Sequence, residues 1–136
     1  MYLLNTNACI RLMNGSSDVL LEMWRRQPAK NIFIAAIVEA ELAFGVDNSH
    51  PSERKANALV LNQFLVPYGA VHFDARCARA YGSLRAKLKR SGTPIGPMDM
   101  MIAATALAHN LIVVTHNTDE FSKVEGLQFT DWEIVS

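Results

Sequence analysis

The stretch Pro94-Ile95-Gly96-Pro97-Met98-Asp99, with Met100-Met101-Ile102-Ala103-Ala104-Thr105-Ala106-Leu107-Ala108 behind it, decides how the chain is read. Two prolines and a glycine make a stiff turn. Pro97 suits the first position of a helix, where its missing N–H has no partner to lose. Asp99 then falls in the first turn, where free N–H groups and the positive end of the helix dipole favour a carboxylate. The run behind it is apolar on every side, as in a helix buried all round. One carboxylate is thereby fixed at the mouth of a core helix. An acid in a first turn is ordinarily only a terminus stabiliser, so Asp99 takes its meaning from the rest of the chain.

Outward from that helix, strands and helices alternate. Tyr2-Leu3-Leu4 is expected as a strand ended by Asn5-Thr6-Asn7. Ala8 to Met13 and Asp18 to Gln27 follow as helices, stopped by Asn14-Gly15 and by Pro28. Asn31 to Ala35 is a continuous apolar run suited to a sheet covered on both faces. Ile37 to Phe44 reads as a helix with Gly45 as its left-handed cap. Glu53 to Leu65 reads as a helix with Ala56, Leu59, Val60 and Phe64 inward. Ala70 to Phe73 is a brief strand, and Asp74 caps a helix that runs to Arg90 and is closed by Gly92. Leu111 to Thr115 is the clearest strand, and Leu127-Gln128-Phe129 a weak last one. This alternation predicts an α/β fold, a mostly parallel sheet of about five strands wrapped by helices, in a single domain over residues 1–136. Ligands of such sheets bind beyond the carboxyl ends of the strands. That rule draws attention to Asn5-Thr6-Asn7 and to Thr115 through Asp119.

Thirteen basic and thirteen acidic residues cancel. A neutral chain does not simply coat phosphates, although local clusters still set local fields. Cys9 and Cys77 match no metal spacing and read as small buried thiols of a reducing compartment. Arg11 interrupts the apolar start too early for a signal peptide. No run reaches the roughly 18 apolar residues of a membrane span. The expectation is a cytoplasmic protein with no membrane partner.

Several residues invite a chemical reading. Glu39 and Glu41 are two apart, so only one can face the carboxyl edge, and periodicity does not choose between them. A carboxylate among apolar residues needs a partner, which a cation would supply. Asn117 with Glu120 fits a capping box. Asp119 is balanced between dipole stabiliser and metal ligand. The helix from Ala75 to Arg90 carries Arg76, Arg79, Arg85, Lys87, Lys89 and Arg90 without an acid, a lane that RNA phosphates could follow. His116 lies near the edge but has no second histidine at metal spacing. His50, His72 and His109 read as incidental.

Four segments taken together resemble the PIN-domain family, most of all its VapC-type toxin branch. They are Tyr2 to Asn7, Glu41-Leu42-Ala43-Phe44-Gly45, Pro94 to Asp99 with Ile102-Ala103-Ala104, and Val114 to Phe121. Each alone is weak; four in this order are specific. The likeness spans nearly the whole chain and implies a three-layer α/β/α sandwich. It further implies a Mg²⁺- or Mn²⁺-dependent endoribonuclease that acts on tRNA. Glu41 and Asp99 match the family's metal acids. Asn117 and Asp119 fall in the segment that supplies a fourth, and Thr6 matches the hydroxyl beside the first. Thr6, Thr115, His116, Arg79, Arg85 and Lys87 are the expected substrate contacts. By the same resemblance the chain is a homodimer held by a VapB-type antitoxin, and it meets operator DNA only through that antitoxin.

The departure is Asn5, where the family pattern has aspartate. An amide keeps the shape and loses the charge; its oxygen can still touch a cation, but hard cations are bound chiefly through carboxylates and water. A folded but nearly inactive chain is therefore expected. The intact remainder of the pattern favours a deliberate replacement, made to produce a toxic nuclease, over natural drift. The alternative function is a non-catalytic module that keeps the antitoxin contacts.

Overall fold

The strands of a computed structural model, which describes residues 1–134, form one sheet. Strands β1 (Tyr2–Leu4), β2 (Ile32–Ala35), β3 (Gly69–Val71), β4 (Ile112–Val114) and β5 (Phe129–Thr130) lie in the order β3-β2-β1-β4-β5. Every neighbouring pair is parallel. In the central strand, Leu3 stands opposite Phe33 on one side and Val113 on the other. Leu3, Leu4, Val113 and Val114 are almost wholly buried, as expected of strands covered on both faces.

Among the described residues, seven α-helices connect and wrap the strands: α1 (Thr6–Asn14), α2 (Asp18–Arg25), α3 (Ala36–Asp47), α4 (Arg54–Leu65), α5 (Ala75–Ser91), α6 (Pro97–His109) and α7 (Thr118–Phe121). A 3-10 turn, Ala29–Asn31, leads into β2. Gly96 caps α6 and Pro97 opens it, as the turn demands. Ile102 through Ala106 are buried, so the apolar helix is a core helix in fact. Asp74 caps α5 by accepting the Cys77 N–H, and Gly92 ends it in the left-handed region. Trp132 packs edge-on against Tyr2, with ring centres 5.0 Å apart, and is itself buried.

Three expectations fail on packing grounds. Gly45 is not a left-handed cap: α3 runs through it to Asp47, because the following Val46 still packs on the core. The inward face of α4 is misphased. Leu61 is its buried residue, while Leu59 and Val60 are 59% and 46% exposed and Ala56 is also exposed. α4 packs chiefly on α3 and α1, so a narrower stripe suffices. The last strand is Phe129–Thr130, since Leu127 still belongs to the turn through Gly126. No helix among the described residues is long and apolar enough to cross a membrane.

Candidate active site

The carboxyl end of β1 meets the amino ends of α1 and α6 in a cleft of ≈ 310 Å³. It is lined by Asn5, Thr6, Asn7, Glu41, Gly96, Pro97, Met98 and Asp99. Each acid arrives for a local reason. Asp99 stands in the first turn of α6 and Glu41 on the second turn of α3. Glu39 is exposed, which settles the choice that spacing left open. The Thr6 hydroxyl donates to Glu41 Oε1 at 2.5 Å and holds that side chain toward the cleft.

Asn5 is 3% exposed and caps α1. Its Oδ1 accepts the Ala8 N–H at 2.9 Å, and its Nδ2 donates to Thr115 Oγ1 at 2.8 Å. The N–H at Ala8 fixes which amide atom is oxygen. The oxygen expected to touch a cation is thus committed to the helix cap, and the other arm is a donor. Thr115 Oγ1 also accepts the Asn117 N–H at 2.9 Å. An aspartate at position 5 would accept and not donate, and the Thr115 hydroxyl could turn its own proton toward it. Asparagine and aspartate are equally good caps. The fold therefore accommodates either residue, and what position 5 lacks is charge.

The sequence reading missed Glu120. Its Oε1 accepts the Gly96 N–H at 2.8 Å, which carries it across to the mouth of α6. An added Cβ on Gly96 would lie 3.8 Å from Glu120 Oε1 and 4.0 Å from Asp99 Oδ2, so both acids flank this glycine. Asn117 is not half of a capping box. Its side chain makes no cap bond; instead its Nδ2 donates to Glu120 Oε2 at 2.8 Å and aims that acid. Asp119 is exposed on α7; neither it nor Glu120 lines the cleft itself, but Glu120 hydrogen-bonds Asp99 from the rim. The long side chain and the buried anchor Phe121 next to it were the available signals.

Burial pushes the Asp99 carboxyl up to about 7, helped by its hydrogen bond with Glu120 and by the charges of Glu120 and Glu41. Glu120 moves the other way, lowered by the Asp99 hydrogen bond and the Gly96 N–H. The pair holds one proton near neutrality, with Asp99 as its donor. None of the residues lining the cleft is basic. Uncompensated carboxylates around a concave, partly buried space fit a hard divalent cation.

His116 points elsewhere, its Nδ1 2.8 Å from Asp131 Oδ2, and is exposed. The basic side chains of α5 are exposed, and they are not equally placed. Arg85 and Lys89 share a cavity with Pro94, Ile95 and Met100, at the Asp99 end of α6. Arg76 meets His109 at the other end, and Arg79 lies one turn from Arg76. Lys87 lines a separate depression with Leu107 and Lys123.

A family model described as PIN domain matches residues 2–127. A tRNA(fMet)-specific endonuclease VapC from Shigella flexneri is 36% identical over 131 residues, which are 96% of this chain and 97% of that protein. The crystal structure of DNA-bound VapBC from Salmonella typhimurium matches with a TM-score of 0.90 at 32% identity, over 96% of this chain and 97% of that one. VapBC2 from Rickettsia felis, bound to a DNA fragment from its promoter, matches with a TM-score of 0.88 at 36% identity, over 96% and 98%.

Proposed function

Because the chain belongs to the PIN-domain family, we propose that it is the toxin of a toxin–antitoxin pair, built as a divalent-cation-dependent endoribonuclease for tRNA and muted by Asn5. The observation that carries this reading is Glu41 and Asp99 in one cleft whose lining has no basic residue, with Glu120 bonded to Asp99 and to Gly96 at its rim. Those three acids would hold Mg²⁺ or Mn²⁺, with Thr6 steadying Glu41, and Gly96 and Asn117 steadying Glu120. When bound, such an ion activates water and stabilises the leaving oxygen of a phosphodiester. The protein's own part is to hold the acids in place around the ion's position. Asp99 must surrender its shared proton for that, so loading is favoured as pH rises past 7. At position 5 the chain presents an N–H donor where a fourth negative oxygen would help hold the ion and aim the water. Arg85 and Lys89, beside the Asp99 end of α6, suit the RNA backbone.

Substrate and partner follow from relatives. The Shigella protein's name specifies tRNA(fMet), and the Salmonella and Rickettsia chains are found in VapBC complexes with DNA. A VapB-type antitoxin is accordingly the proposed partner, with operator DNA bound through it. Its landing place is an apolar groove of ≈ 280 Å³ between α1, α3 and α4, lined in part by Ile10, Met13, Leu42, Val46 and Val60. Phe44 and Leu59, both well exposed on α3 and α4, extend the apolar surface of those helices. This groove also favours the second reading, a module whose remaining task is antitoxin binding.

The test is cleavage of purified tRNA with Mg²⁺ or Mn²⁺ by the chain and by its Asn5→Asp variant. The variant should cut, and adding Glu41→Gln or Asp99→Asn to it should abolish cutting. A variant that cuts no RNA overturns the nuclease reading. A parent chain that cuts as fast as the variant overturns the muting by Asn5.

A further inference from the structure

We infer that the chain carries a second cation site, for zinc, built from Asp74, Cys77 and His109 at the end of α6 remote from Asp99. One ligand atom from each residue lies within 4.8 Å of the other two. His109 lies ten residue steps beyond Asp99 on α6, about 15 Å along the helix, so the acid cleft is not involved. Asp74 and Cys77 open α5, and His109 ends α6. The site would clasp two helices that already pack side by side.

The donors are arranged for coordination more than for hydrogen bonding. Asp74 Oδ1 is used by the Cys77 N–H at 3.0 Å, which leaves Oδ2 turned to His109. Oδ2 lies 3.2 Å from His109 Nε2, yet that buried nitrogen makes no hydrogen bond. Two light ligands on one tetrahedral zinc stand roughly 3.3 Å apart, given bonds of ~2.0 Å. The Cys77 sulfur makes a long contact, 3.7 Å to the His72 carbonyl, and also meets the side chains of Asp74 and Thr105. Cys77 is buried, while the side chains of Asp74 and His109 are 41% and 23% exposed. The site therefore sits just beneath the surface, and a water can complete four-coordination.

Donor chemistry selects the ion. Sulfur, imidazole and one carboxylate suit borderline-soft Zn²⁺, whereas Mg²⁺ takes oxygen ligands. Binding displaces the thiol proton to solvent. It also requires the His109 ring proton on Nδ1, which now faces Arg76 Nη2 at 3.5 Å. Arg76 is exposed and must swing outward. It is thus a built-in competitor for the site.

Cobalt(II) is the probe, because thiolate ligation gives a charge-transfer absorption that carboxylates do not. It is titrated into the full chain carrying Asp99→Asn, which disables the acid cleft. The expected result is a saturable thiolate band that Zn²⁺ bleaches. Cys77→Ser should abolish the band, His109→Gln should weaken Co²⁺ binding strongly, and Arg76→Gln should tighten it several-fold. Absence of the band, or its survival in Cys77→Ser, overturns the site. An unchanged affinity in His109→Gln, a change at a helix end that leaves the core intact, overturns it equally.

Discussion

Replacing Asp99 by asparagine should make the cation-free protein more stable at alkaline pH, although it removes an acid of the proposed active site. The folded protein holds the Asp99 proton up to about pH 7, against 3.8 for an unperturbed aspartate. Folded chains therefore bind more protons than unfolded ones between those values. Stability falls as pH rises through that window, and the penalty is complete above about 7. The full shift corresponds to about 4 kcal/mol at 1.36 kcal/mol per unit. Solvent screening in an open cleft and the opposite movement of Glu120 reduce this to about 1–2 kcal/mol. Asparagine carries no charge and can still donate to Glu120. Asp99→Asn should then melt roughly 4–8 °C higher than the parent at pH 8 in chelator, with the difference vanishing near pH 4. Thermal melts across that range measure it. Added Mn²⁺ should narrow the gap, because it stabilises only the parent. A variant that is less stable at pH 8, or a gap that ignores pH, would refute the charge-crowding argument.

Three further outcomes follow from the same contacts. Thr115→Val removes the shared acceptor of Asn5 Nδ2 and Asn117 N, and should cost about 2–3 kcal/mol in urea unfolding. A loss below about 0.5 kcal/mol would contradict its role as hub. Asn5→Ala should cost about 1–2 kcal/mol by loss of the α1 cap, whereas Asn5→Asp should stay near the parent; equal losses would show that the cap does not hold position 5. Charge reversal at Arg85 should weaken tRNA binding more than reversal at Arg79, because only Arg85 stands at the Asp99 end of α6. Filter binding at two salt concentrations reads this, and equal losses would remove the basic lane from the account.

Most of the sheet could be read from residue order because the decisive signals were local. Pro97 and Asp99 announce the start of α6, and Asp74 and Gly92 bracket α5. Parallel topology draws attention to Asn5 at a strand end, but Glu41 and Asp99 were joined to it by the family resemblance, because spacing left Glu39 and Glu41 undecided. Glu120 escaped for the opposite reason. A local pattern with Asn117 explained it fully, and only the fold shows its oxygen reaching Gly96, far back in the chain. The face of α4 was misjudged because periodicity fixes a stripe only as wide as the partner surface, and α4 has little partner. Cys77 and His109 looked unrelated since neither lies at metal spacing within its own helix. Antiparallel packing of α5 on α6 supplies their proximity.

The account turns on a cation gripped by carboxylates beside a neutral position 5. Titration of Mn²⁺ into the chain, Asn5→Asp and Asp99→Asn at pH 8, followed by the free-ion paramagnetic signal, measures that grip itself. The account predicts a binding site in the chain, a site about tenfold or more tighter in Asn5→Asp as ligand charge is added, and its loss in Asp99→Asn. Equal affinity in all three proteins would contradict it.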